Sequence, residues 1–252
     1  MNIQFASDLH LEVGFNSKYF AANPIKPHGD ILVLAGDIMC WCGDYLNHPF
    51  WDWASQNYDQ VIVVPGNHEF YKDFDLAVLE NKSHGRIRDN VSWHYNESVI
   101  INGIKFICTT LWSCIPEEMK ERYQVNLNDF DCIKLNGKAL SVEDYNRLNK
   151  ECVDFLEEEL KSRQENKIVV THHVPVFDAL SDGINLHWSR YLYGNELDHL
   201  LENSSIEYWI CGHIHETTPE LKIGNTKVVV NPFGYAKKKN ELFNYGKSIS
   251  IS

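Results

Sequence analysis

Five short apolar runs, each stopping at residues of metal-ligand type, constrain this chain more than any other feature. Residues 61–64, Val-Ile-Val-Val, end at Pro65-Gly66 and then present Asn67, His68 and Glu69. Residues 3–6 lead into Ser7-Asp8-Leu9-His10, residues 31–35 into Gly36-Asp37, residues 168–171 into His172-His173, and residues 208–211 into Gly212-His213-Ile214-His215. Short runs that are apolar at consecutive positions read as strands buried on both faces, the pattern of a parallel sheet covered on each side. In open α/β sheets the functional crevice lies outside the carboxyl ends of the strands, so the five ends are expected to converge. Asp8 and His10, two residues apart, would face the same side of an extended segment.

The intervening sequence supports one layered α/β domain over residues 1–252, with no repeat or linker to divide it. Residues 91–95, 98–101 and 104–109 read as antiparallel strands, the last two joined by the hairpin signal Asn102-Gly103. Ser141-Val142-Glu143-Asp144 resembles a capping box, and Tyr145, Leu148, Cys152, Phe155 or Leu156, and Leu160 follow at helical spacing. Short helices are expected over 73–81 and 196–201, a strand over 227–230, and a closing edge strand over 247–251. Residues 12–29, with Asn23-Pro24 and Lys26-Pro27, read as an irregular excursion. The aromatic-rich stretch 39–53 reads as helix and loop packing in preference to a wall of the cleft beside Asp37, and Cys40-x-Cys42 carries no role. Residues 111–140 lack a clear period over most of their length. They are either a lid or substrate-facing insertion, or a partly helical surface loop.

Charge narrows the function classes. With 35 Asp and Glu against 23 Lys and Arg, the net charge of −12 argues against bulk binding to nucleic acid. A phosphate-bearing substrate would need a locally positive site, which bound metal supplies. Seven cysteines with no Cys-x-x-Cys pair read as reduced thiols, and no apolar segment is long enough to span a bilayer, so a cytoplasmic location is expected.

Asp8, His10, Asp37, Asn67, His172, His213 and His215 form a mixed oxygen and nitrogen set without thiolate, suited to Mn, Fe, Zn or Ni. Seven ligands exceed one tetrahedral ion and suffice for two if a carboxylate is shared. The order Asp8-x-His10, Gly36-Asp37, Gly66-Asn67-His68-Glu69, His172, Gly212-His213-x-His215 resembles the calcineurin-like metallophosphoesterase superfamily, over residues 7–215. That resemblance implies a four-layer α/β sandwich, two mixed β-sheets packed face to face and flanked by helices. It also implies that Asp8, His10, Asp37 and His215 hold one ion and Asp37, Asn67, His172 and His213 the other, with Asp37 bridging. His68 would reach the leaving-group oxygen. His172 is taken over His173 because it lies nearest the strand end. The chain departs from the Gly-Asp-x-x-Asp-Arg-Gly signature of the protein phosphatases, since Gly36-Asp37 is followed by Ile38-Met39-Cys40-Trp41-Cys42.

Two cations about 3.5–4 Å apart clamp a phosphoryl oxygen and generate hydroxide at neutral pH, so the expected reaction is hydrolysis of a phosphate ester without a covalent nucleophile. A phosphodiester of a small molecule or nucleotide is favoured. A phosphomonoesterase, a pyrophosphatase and a non-catalytic scaffold of the same fold are the alternatives. His187, Trp188, Arg190 and Tyr191 are either substrate-side groups or ordinary loop packing.

Overall fold

The structure is a computed structural model and describes residues 1–72, 74–162, 166–185, 188–202 and 205–251. Two six-stranded mixed sheets carry the fold, with helices packed on their outer faces. In the first sheet the order is Ser248–Ser250, Asn2–Ala6, Ile31–Ala35, Gln60–Val64, Val91–His94, His84–Arg88. In the second it is Leu221–Ile223, Thr226–Val230, Ile206–Cys211, Lys167–Thr171, Ile104–Thr109, Glu97–Ile101. The inner strands of each sheet run parallel, and an antiparallel strand closes each edge.

The period of two along each strand divides the core. Ile3, Phe5, Ile31, Val33, Ile62 and Val64 share a buried cluster with Phe106, Ile168, Val170, Ile210 and Val229, which is the layer between the sheets. Leu32, Leu34, Val61, Val63, Val169 and Trp209 face the other way and pack under the helices. Because both faces are covered, the strands are apolar at nearly every position, and this made them legible. Helix Pro49–Asn57 packs on the first sheet with Trp51 buried, and helix Val142–Leu160 packs on Ile104–Thr109 of the second.

Several local expectations hold. Asn102 and Gly103 both take positive φ, 50° and 82°, as a two-residue hairpin with the strand twist requires. Ser141 and Asp144 form a reciprocal capping box, and Tyr145, Leu148, Cys152 and Leu156 are the buried stripe. The edge strand at the C-terminal end pairs with Asn2–Ala6. Other expectations change. The stretch read as irregular holds helix Gly14–Ala22, whose buried residues are only Asn16 and Phe20, too few to give a period. The short helix expected from Asp73 is a 3-10 helix, Leu76–Asn81, capped by Asp75; Asp73 itself lies outside the described residues. Residues 111–140 contain three short helical pieces and a two-stranded ribbon, Lys134–Leu135 with Lys138–Ala139. Among the described residues, no helix is long and apolar enough to cross a membrane.

The capping box gives a direct test of how helix Val142–Leu160 is anchored. Ser141→Ala removes a bond to the Asp144 N–H and should cost about 1 kcal/mol, read as a fall of roughly 2–4 °C in the thermal midpoint.

Candidate metal centre

All five motif ends emerge from the carboxyl ends of parallel strands, three from the first sheet and two from the second, and their side chains meet. The backbone turns sharply to achieve this. Asp8, His10, Asp37, His213 and His215 all have φ between 46° and 70°, the left-handed region that L residues enter at a cost and that clusters at functional sites. The expectation that Asp8 and His10 converge because their segment is extended is therefore corrected: left-handed backbone at both residues brings them together. Two glycines make room. A Cβ at Gly36, φ 86°, would sit 2.2 Å from His172 Nδ1, and one at Gly66 would sit 2.2 Å from Asp37 Oδ1.

One group contains Asp8, His10, Asp37 and His215. Asp8 Oδ2 accepts from the Ser7 hydroxyl at 2.5 Å and the His213 N–H at 3.0 Å, which leaves Oδ1 without a hydrogen bond 3.2 Å from His215 Nε2. Asp37 repeats the arrangement. Its Oδ1 accepts from the His68 N–H at 2.8 Å, while the buried Oδ2 has no hydrogen-bond partner and lies 3.3 Å from His172 Nε2 and 3.9 Å from His10 Nε2. His10 Nε2 and His215 Nε2 are 2.9 Å apart.

The second group contains Asp37, His172 and His213. His172 Nδ1 donates to the Ala35 carbonyl at 2.9 Å, so in the neutral ring Nε2 carries the lone pair, and that nitrogen lies 3.2 Å from Asn67 Oδ1 and 3.1 Å from His213 Nδ1. His213 Nε2 donates to the Leu192 carbonyl at 3.1 Å, which likewise turns Nδ1 inward. His173 is held elsewhere, with Nδ1 3.3 Å from the Thr110 carbonyl and Nε2 3.1 Å from the Tyr145 hydroxyl.

These contacts are what cations would need. Orphaned, desolvated carboxylate oxygens and inward-facing imidazole lone pairs are costly without a positive charge among them. Burial raises the Asp8 and Asp37 carboxyls, but the surrounding histidines outweigh it and leave both lowered, Asp37 strongly so through His172. Burial lowers His172, yet the Asp37 carboxylate more than offsets it and raises this imidazole to about 10. Burial holds His213 well below its ordinary value, assisted by His173 and His172.

His68 stands beside this cluster. Its Nε2 is 3.9 Å from Asp37 Oδ2, its Nδ1 is 3.1 Å from Glu12 Oε1, and its ring stacks on Tyr71 at 4.2 Å. Glu12 Oε1 also lies 3.2 Å from His10 Nδ1. A carboxylate can only accept, so Glu12 fixes Nδ1–H on both rings and turns both Nε2 atoms inward. Burial lowers His68, but Asp37 and Glu12 raise it to about 9.

Three contributors, Glu12, Tyr71 and Asp129, escaped the sequence reading, and Glu69 stood in it with no role beyond supporting its turn. Glu12 follows His10 at the same two-residue step as His10 follows Asp8, a visible signal that went unused. Glu69 accepts from the N–H groups of Gly66, Asp37, Ile38 and Met39 at 2.6–3.2 Å. Tyr71 and Asp129 line the cavity, about 280 Å3, that opens onto Asn67, His68 and His215. Of the substrate-side candidates, Arg190 and Tyr191 pack on Phe177, and Trp188 packs on Arg122 and Tyr123; Leu192 and Tyr193 line the cavity instead. His187 lies outside the described residues.

The chain is 30% identical over 273 aligned positions to the uncharacterised protein L509 of Acanthamoeba polyphaga mimivirus, covering 96% of this chain and 94% of that protein. A shorter match to the uncharacterised protein MJ1162 of Methanocaldococcus jannaschii has 32% identity over 34% of this chain and 45% of that protein. Among solved structures, the phosphopantetheinyl hydrolase PptH of Mycobacterium tuberculosis shares the fold, with a TM-score of 0.65 and 17% identity over 94% of this chain and 90% of that chain. The sequence profile of the calcineurin-like phosphoesterases matches residues 1–217 and so takes in every one of the five strand ends. On that match the chain belongs to the calcineurin-like phosphoesterase family, metal-dependent hydrolases of phosphate esters.

Proposed function

We propose that the protein hydrolyses a phosphodiester of a small molecule or nucleotide. In this reading Asp8, His10, Asp37 and His215 hold one Mn, Fe or Zn ion and Asp37, Asn67, His172 and His213 hold a second, with Asp37 shared. The orphaned Asp8 Oδ1 and Asp37 Oδ2 support this division, since each faces the imidazoles of its own group. Two ions so placed supply Lewis-acid charge for the phosphoryl oxygens and acidify water at neutral pH. The remaining work falls to the protein. Glu12 orients His68, Tyr71 supports its ring, and His68 Nε2 is left free to give a proton to the departing alkoxide or to stabilise its charge.

The preference for a diester rests on one observation. Among the described residues lining the cavity there is no Lys or Arg, and Asp129 adds a further carboxyl group. A monoester dianion would bring one more negative charge than a diester into a cavity with no Lys or Arg to receive it. Residues 126–129 reach this cavity, which supports reading residues 111–140 as the substrate-facing part of a single domain.

Chelation should abolish turnover and Mn, Fe or Zn should restore it, with elemental analysis finding two ions per chain. With metal supplied, bis-p-nitrophenyl phosphate should exceed p-nitrophenyl phosphate in kcat/KM by at least about tenfold. The reverse order would favour the monoesterase or pyrophosphatase reading, and inertness toward every ester class with two ions bound would favour the scaffold.

His68→Ala should lower kcat by about 10²–10⁴-fold on a diester with an alkyl leaving group while both metals stay bound. The loss should shrink with p-nitrophenolate, which departs without a proton. Loss of an ion would instead mark His68 as a ligand.

A further inference from the structure

Asn67 is the one amide among the proposed ligands, and an amide has two ends. Only its oxygen can bind a cation, so something must decide which end faces inward. Its Nδ2 donates to Asp129 Oδ1 at 2.8 Å and, at the longer distance of 3.3 Å, to the Tyr71 hydroxyl, and this places Oδ1 toward His172 Nε2, 3.2 Å away. The same Asp129 oxygen accepts from the Tyr71 hydroxyl at 2.6 Å, and Tyr71 is the ring on which His68 stacks. Asp129 therefore touches the supports of both neighbours in the Asn67-His68 pair.

Asp129 is fully buried, and its second oxygen, Oδ2, has no hydrogen-bond partner among the described residues. A half-satisfied buried carboxyl group is a poor device for stability alone. It opens the short helix Asp129–Cys132 within residues 111–140, 62 positions from Asn67, so this insertion is tied directly to the Gly66-Asn67-His68-Glu69 turn.

We propose that Asp129 is a positioning residue: it presents the Asn67 amide oxygen to the second ion and, through Tyr71, sets the plane of the His68 ring. The insertion then completes the metal centre as well as facing the substrate. This rests on the two-ion reading above. A carboxylate that orients a ligand through a hydrogen bond accounts for about 10–100-fold in metal affinity in comparable sites.

The test is calorimetric titration of the metal-free full chain with Mn. Wild-type protein should take up two ions. Asp129→Ala should bind one of them about 10–100-fold more weakly and leave the other unchanged, because Asp8, His10, Asp37 and His215 do not touch Asp129. Asp129→Asn keeps an oxygen able to accept from Asn67 Nδ2 and should restore the weakened ion to within a few-fold. Asp129→Ser, whose side chain is too short to reach Asn67, carries the same expectation as Asp129→Ala if that variant does not fold. Tyr71→Phe keeps the ring and loses the hydroxyl, so both ions should stay bound while kcat on an alkyl diester falls about tenfold at unchanged KM.

Equal binding of both ions by the Ala or Ser variant overturns the role assigned to Asn67, as does an Asn variant no better than Ala. An unchanged kcat in Tyr71→Phe overturns the link to His68. Wild-type protein that binds fewer than two ions overturns the two-ion reading itself, an outcome distinct from the other three.

Discussion

The carboxylate of Glu69 lies among four backbone N–H groups, those of Gly66, Asp37, Ile38 and Met39, and the rest of the centre depends on that arrangement. Asp37 and Asn67 stand on separate strand ends, and in the proposed reading both deliver an oxygen to one ion. A side chain that accepts from both loops locks their separation without occupying the site. Burial and the nearby Asp37 carboxylate push Glu69 up to about 8, against the backbone N–H bonds, which favour its ionised form. Each carboxyl oxygen accepts from two of these donors, Oε2 from Gly66 and Asp37 and Oε1 from Ile38 and Met39. The same close approach of the two loops leaves no room for a Cβ at Gly66, which would sit 2.2 Å from Asp37 Oδ1 and 2.8 Å from His172 Cδ2.

Much of this centre could be read from the sequence because its strands are buried on both faces. Runs such as residues 61–64 and 168–170 are apolar at every step, and each hands over to polar residues within a few positions. The strand ends were visible for that reason, and with them the seven residues that the structure brings together. The local backbone was not visible. Five of the seven sit at positive φ, a state set by contacts between chain segments rather than by the identity of Asp or His, so an extended reading of Asp8-Leu9-His10 gave convergence for the wrong reason. Helix Gly14–Ala22 was missed because it buries Asn16 through hydrogen bonds to the Leu9 and Gly234 carbonyls, a polar contact that leaves no hydrophobic period.

The supporting residues were less legible still, for a physical reason. A ligand announces itself by type and by its place after a strand, whereas a residue that orients a ligand needs only a hydrogen-bonding group at the correct distance. Glu12 could have been found by extending the two-residue step beyond His10. Asp129 could not, because it comes from a stretch without a period and meets Asn67 only through the tertiary fold. Trp188, Arg190 and Tyr191 show the converse: side chains suited to substrate contact are occupied in packing, while the less conspicuous Leu192 supplies a carbonyl that fixes His213.

Adjacent residues with different tasks need separate anchors. Asn67 and His68 are joined by one peptide bond, yet Asn67 Oδ1 turns toward His172 while the His68 ring turns toward Glu12 and Tyr71. If both side chains were free to rotate, either could take the other's place near Asp37 Oδ2, and the His68 imidazole, 3.9 Å from that oxygen, is well placed to compete as a ligand. Glu12 limits this from one side by holding Nδ1, and Tyr71 limits it from the other by stacking. In the proposed reading, the separation of metal binding from proton transfer within one turn is thus a property of the surrounding contacts, drawn from residues 12, 71 and 129, and not of the two residues alone.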